Sequence, residues 1–152
     1  MTADADRALD RSLTRDHFDH VTRVTTRWSD NDMYGHLNNA VYYELFDSAI
    51  NAWLITGTGV DALALPELGV VAESGCRFFR ELEYPRPLDV AVRVERLGRS
   101  SITYALGLFD ADDPAIAALG HWVHVYIDRD SRATVPIPPV LRDLLERAVA
   151  ER

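Results

Sequence analysis

Between Trp28 and Leu54 the chain reads WSDNDMYGHLNNAVYYELFDSAINAWL, and its polar half gathers groups that can do chemistry. They are the carboxylates of Asp30 and Asp32, the imidazole of His36, the amides of Asn38 and Asn39, and the glycine Gly35. A helix pattern starts directly after them. Asp32 can therefore sit close to a helix N-terminus, where backbone N–H groups lack intrahelical partners and the positive end of the dipole faces outward. A carboxylate beside such donors is the minimum that acyl transfer needs. The N–H groups stabilise a developing oxyanion, and the carboxylate supplies or activates the nucleophile. Gly35 lets the backbone approach a ligand closely. His36 and Asn38 can orient a carboxylate, a water or a carbonyl. The same residue types are also ordinary turn formers, and Asn38 or Asn39 can equally serve only to cap the helix through a side-chain oxygen.

The elements around this stretch follow from periodicity. Residues 1–16 are charged with scattered apolar positions and read as a flexible tail or one short helix. Phe18 to Trp28 alternates and is dense in β-branched residues, which predicts a strand. Val41/Tyr42, Leu45/Phe46, Ala49/Ile50 and Trp53/Leu54 recur at helical spacing, with Gly57 as the expected stop. Two apolar residues per turn make a broad stripe, so this helix should be covered on most sides, with Glu44 and Asp47 marking the less covered one. After a loop over 57–69, strands are predicted over Val70–Phe79, Leu88–Val94, Ile102–Leu108 and Ala117–Ile127. Tyr84-Pro85-Arg86-Pro87, Gly98-Arg99-Ser100 and Asp110–Pro114 interrupt them. Antiparallel hairpins would join these last four strands into one sheet. Val140 to Val149 carries Leu141, Leu144, Leu145 and Ala148 at the spacing of a terminal amphipathic helix. The expected fold class is α+β, a curved antiparallel sheet of about five strands around one long central helix.

The 152 residues fit one domain, expected over 17–152. A formal net charge of −8 disfavours nucleic acid and anionic membrane surfaces as partners. One cysteine, Cys76, excludes an internal disulfide and suits a small core position in a reducing compartment. The absence of a signal-peptide pattern and of an apolar run of roughly 20 residues gives the expectation of a cytoplasmic protein. The pairs His17/His20 and His121/His124 are three apart on strand-like runs, where side chains point to opposite faces, so no metal site is expected.

The run WSDNDMYGHLNNAVYYE resembles the signature of hotdog-fold thioesterases, in particular the 4-hydroxybenzoyl-CoA thioesterase-like and acyl-ACP thioesterase branches. The order of elements from about His17 to Asp128 is similar to that fold. In the 4-hydroxybenzoyl-CoA branch the second aspartate of D-x-D-x-x-G-H-x-N-N is the catalytic carboxylate, which falls on Asp32. The backbone N–H that polarises the thioester carbonyl there falls on Asn39. The acyl-ACP branch uses D-x-N-x-H; Asp32 and His36 match, but Tyr34 stands in the place of the asparagine, which favours the CoA-type branch. The turn Gly98-Arg99-Ser100-Ser101 matches in place a basic, serine-containing segment that contacts the nucleotide, so Arg99, Ser100 and Ser101 are the implied CoA-binding residues. Arg77, Arg80 and Arg86 are weaker candidates of the same kind. The resemblance implies hydrolysis of an acyl-CoA, with CoA as part of the substrate and no separate cofactor. It also implies a homodimer or homotetramer with the active site at the subunit interface. Two alternatives are a hotdog hydratase or dehydratase acting on acyl-CoA or acyl-ACP, and a non-enzymatic acyl-CoA-binding module. Tyr42, Tyr43, Phe46 and Trp53 would line the acyl pocket or simply form core.

Overall fold

The computed structural model describes residues 10–152, so most of the tail expected over 1–16 lies outside the described residues. Five strands form one antiparallel sheet: β1 (His20–Val24), β2 (Glu67–Phe78), β3 (Leu88–Leu97), β4 (Ser101–Asp110) and β5 (Ala118–Asp128). Their spatial order is β1-β3-β4-β5-β2. Helix α1 (Asn39–Thr58) lies on one face, and α2 (Pro139–Glu151) packs against the end of α1. The α+β class expected from the order of elements is the one observed.

The connections differ from a run of hairpins. β3–β4 and β4–β5 are hairpins, but β2 pairs along its length with β5. Residues 79–87 must therefore cross from the β2 edge to β3, a path too long and too proline-rich for a tight hairpin. This crossing segment matters for the site below. β1 is also shorter than its alternating sequence suggests. It pairs with β3 only from His20 to Val24, because the Asp30 side chain accepts a hydrogen bond from the Arg27 backbone N–H and turns the chain into a 3-10 helix at Trp28–Asp30.

The helix begins as the asparagines suggest: Asn38 Oδ1 accepts from the Ala40 N–H at 3.0 Å. Its end differs. Gly59, with φ +71°, terminates the helix, and Gly57 lies inside it. Gly57 packs closely on α2: a Cβ there would stand 2.8 Å from Leu144 Cδ2, so that side chain would have to shift. Val41, Tyr42, Phe46, Ala49, Ile50, Trp53 and Leu54 are buried, while Glu44, Asn51 and Ile55 are exposed. The helix is thus covered on one broad face and not on most sides, because β2 lies beyond it at the sheet edge with much of its length exposed.

The inner face of the sheet presents Val90, Val92, Ile102, Leu106 and Leu108 to α1. In β5 the aliphatic alternation of Leu119, Val123, Val125 and Ile127 marks the partly exposed face; the inner face carries Trp122, His124 and Tyr126. Gly120 leaves the space that the Phe46 ring fills. A second, smaller cluster of Phe18, Ala91, Phe109 and Ile116 sits on the outer face. Residues 13–17 dock there. Arg15 lies 4.5 Å over the Phe109 ring and donates from Nε to Asp89 Oδ2 at 2.8 Å, while Arg23 Nε donates to Asp89 Oδ1 at 3.0 Å. Burial pushes the Asp89 carboxyl upward, but the hydrogen bonds and charges of Arg23 and Arg15 outweigh it and hold the group below its ordinary value.

Candidate active site

The loop from Asp30 to Asn38 is closed on itself by backbone hydrogen bonds. The Asp32 N–H donates to His36 O, the Gly35 N–H to Asp32 O, and the Asn38 N–H to Asp30 O, all between 2.8 and 3.1 Å. Gly35 has φ +81°, a left-handed conformation that a residue with a Cβ adopts at a cost. Its role is therefore to make the turn. Asp32 Oδ1 accepts from the Tyr34 N–H at 2.8 Å, an Asx-turn that fixes the carboxylate without burying it.

The crossing segment holds this loop from below. The Leu37 N–H donates to Leu82 O at 2.7 Å, and Asn31 Oδ1 accepts from the Tyr84 N–H at 3.0 Å. The same segment brings Glu81 Oε2 to 3.0 Å from His36 Nε2. Glu81 is a group that sequence reasoning missed. Nothing in a local pattern ties residue 81 to residue 36; only the crossing from β2 to β3 does.

The result is an open cleft of about 690 Å³. Asp32, His36 and Asn39 line it, together with Tyr42, Phe78 and Arg80. At its floor α1 begins. Asn38 spends its side chain on the cap, and the Val41 N–H donates to Asn38 O. The Asn39 N–H takes no hydrogen bond among the described residues, so it is the free donor at the positive end of the helix. Tyr42 meets Phe78 edge-on, with ring centroids 4.8 Å apart, and burial pushes its hydroxyl up to about 12. The loop tip beside the cleft exposes Trp28, Met33 and Tyr34.

Of the residues singled out by sequence, Asp32, His36 and Asn39 share the cleft, Gly35 forms its turn, and Asn38 caps the helix. Asp30 does not belong to it: it is 4% exposed and clamped by Arg27, whose Nη2 lies 2.9 Å from Asp30 Oδ1. Arg99, Ser100 and Ser101 form the β3–β4 turn as expected but are not brought to Asp32 within one chain. β3 enters from the Asp32 end and runs ten residues, about 33 Å, to that turn. There the carbonyls of Arg99 and Ser100 accept from the Ile137 and Tyr126 N–H groups. Arg80 lines the cleft with Asp32 and lies 4.0 Å from Asp113; Arg77 pairs with Asp10, and Arg86 with Asp110. His121 faces outward to Glu73 and His124 inward. Among the described residues no group of three or more His, Cys, Asp or Glu side chains is placed to hold a metal. None of their helices is long and apolar enough to cross a membrane.

Comparisons with known proteins bear on this arrangement. A model of the thioesterase-like superfamily matches residues 26–145. No curated protein matched the chain. Among solved structures, the PA5185 protein of Pseudomonas aeruginosa strain PAO1 is 40% identical, with a TM-score of 0.85 over 89% of this chain and 94% of its own. The PA2801 protein of the same species, named provisionally as a thioesterase, is 28% identical, with a TM-score of 0.77 over 83% of this chain and 97% of its own. A 1,4-dihydroxy-2-naphthoyl-CoA thioesterase from Synechocystis is 13% identical, with a TM-score of 0.76 over 82% and 93%. At that identity the likeness is one of fold alone, and the fold is the hotdog.

Proposed function

The chain belongs to the thioesterase-like superfamily, and we propose that it hydrolyses an acyl-CoA thioester to a free carboxylic acid and CoA. One observation carries the reading: Asp32 and Asn39, whose N–H has no hydrogen-bond partner among the described residues, line the same open cleft at the start of α1. The Asn39 N–H and the helix dipole polarise the thioester carbonyl and stabilise the oxyanion that forms on it. Asp32 attacks the carbonyl carbon or takes the proton of an attacking water. If Asp32 attacks, loss of the thiolate leaves an acyl-Asp32 anhydride, which water hydrolyses to the free acid and the restored carboxylate. If water attacks, its oxygen joins the acyl carbon and the tetrahedral intermediate expels the thiolate directly. In both paths the C–S electron pair leaves with the sulfur, which is protonated to the CoA thiol. His36, steadied by Glu81, positions the water or the Asp32 carboxylate. That Tyr34 replaces an asparagine beside Asp32 supports a CoA carrier over the acyl-ACP mechanism, as does the CoA substrate in the name of the Synechocystis protein of the same fold.

The functional unit we propose is a homodimer, or a dimer of such dimers. β2 is a twelve-residue edge whose outer side pairs with no strand among the described residues, and its exposed Val71 and Phe78 favour coverage by a second copy. Dimerisation also gives Arg99, Ser100 and Ser101 a role. Too far from Asp32 of their own chain, they would bind the nucleotide phosphates of a CoA whose thioester lies at the partner's active site, with Arg80 supplying positive charge in the cleft that Asp32 lines.

The test is release of free thiol from a panel of acyl-CoAs by the wild type and by Asp32→Asn. Release by the wild type that is lost in the variant supports the reading and ranks the acyl groups. Release unchanged in Asp32→Asn, or hydration of an enoyl-CoA with no thiol released, overturns it.

A further inference from the structure

Beneath α1 the sheet buries polar atoms that have no partner among the described residues. His124 Nδ1, Tyr104 Oη and Trp122 Nε1 each lack a hydrogen bond. They sit together: Tyr104 and Trp122 are register partners across β4 and β5, and the Tyr104 ring meets His124 edge-on with centroids 5.6 Å apart. A buried polar group without a partner is costly, and of these three residues only His124 lines a place that a partner from outside the chain can reach.

His124 borders such a place. A cavity of about 110 Å³ is walled by Leu54 and Ile55 of α1, Leu68 of β2, Tyr126 of β5 and Leu141 of α2. Its volume approaches the roughly 150 Å³ of an apolar cavity that admits benzene. Two other polar side chains on the wall are spent locally: Asn51 Nδ2 donates to Asp47, and Thr58 Oγ1 donates to Leu54 O. His124 is 3% exposed, and burial lowers its pKa although Asp47 opposes the shift. The imidazole is therefore neutral at pH 7, with one N–H and one lone pair to offer. No arginine lines the cavity, and Glu67 stands on its wall, so an anion is disfavoured.

We propose that this cavity binds a neutral hydrocarbon group of about benzene size bearing one hydroxyl, which hydrogen-bonds to the His124 imidazole. The site is distinct from the Asp32 cleft. Asn51, its first residue on α1, lies about 18 Å along the helix from Asn39. The proposal does not rest on the thioesterase reading.

Phenol and benzene are the probes, and the side-chain NMR resonances of His124 are the readout, on the full chain. Phenol is expected to shift the His124 signals saturably and to bind about tenfold more tightly than benzene, the worth of one hydrogen bond. His124→Phe should erase that preference while benzene still binds. Ile55→Trp places bulk at the mouth from a residue already 46% exposed, so it should block both probes in a folded protein even if His124→Phe fails to fold. No saturable shift with phenol, equal affinity for the two probes, or binding that survives Ile55→Trp overturns the assignment and leaves the orphaned atoms to water alone.

Discussion

Asp30 and Asp32 stand two residues apart on one loop. Both oxygens of Asp30 are occupied, one by the Arg27 backbone N–H at 2.8 Å and the other by the Arg27 guanidinium, and the side chain is buried. Asp32 holds one oxygen on the Tyr34 N–H and turns towards a cleft wide enough for a substrate. The residue type is the same and the loop is the same. The difference lies in how the lone pairs are spent: a carboxylate saturated by its own loop fastens that loop, and one left partly free and hydrated can attack or abstract.

Substitution should separate the two roles, and the largest effect belongs to Asp32. Asp32→Asn is expected to lower kcat for thiol release by about 10³-fold, while its unfolding free energy stays within about 0.5 kcal/mol of the wild type. Asp30→Asn should show the inverse. Loss of the charge beneath Arg27 and of one of the two acceptor oxygens should cost about 2 kcal/mol in urea unfolding, with kcat of the folded enzyme falling less than tenfold. If Asp30→Asn silences turnover in a protein of wild-type stability, the two assignments must be exchanged.

Sequence made part of this contrast legible and hid the rest for physical reasons. The helix, the Asn38 cap and the placement of Asp32 before it are local features, and local spacing encodes them. Which aspartate is buried was not encoded, because both sit in a polar loop and only Arg27 and the fold of the turn decide it. Glu81 reaches His36 through a strand crossing, and strand pairing is a non-local choice. Asp89 alternates with inward-facing valines and would be taken for solvent-facing. It is buried because residues 13–18 fold back over the outer face. On β5 the inner positions are Trp122, His124 and Tyr126, a mixed aromatic and polar set that aliphatic alternation does not single out.

Asp89 extends the contrast to the opposite side of the sheet, as a second fastener held by two arginines. Its folded-state pKa is depressed, so its contribution to stability is complete above the unfolded value of about 3.9 and is lost as pH falls through the folded one. Arg15→Met, which leaves Arg23 in place, should cost about 1–2 kcal/mol at pH 7. The gap from the wild type should narrow as the pH drops below about 4. A gap that is constant with pH would mean that Arg15 acts through its contact with Phe109 and its bonds to the carbonyls of Asp110 and Asp113, and not through Asp89.

The smallest effect should come from Glu81, and its size follows from exposure. The side chains of His36 and Glu81 are 40% and 76% exposed, so their 3.0 Å contact, an ion pair whenever His36 is protonated, lies in water-like surroundings. Such pairs contribute about 0.2–1 kcal/mol, which limits Glu81→Gln to a loss of about fivefold in kcat. Because the amide can still accept a hydrogen bond from His36 Nε2, the loss that remains is electrostatic, and salt should screen it. Turnover of the wild type and of Glu81→Gln should therefore converge as ionic strength rises from about 0.01 M to 1 M. A loss well beyond tenfold that salt leaves untouched would move Glu81 from steadying His36 to a direct part in the chemistry beside Asp32.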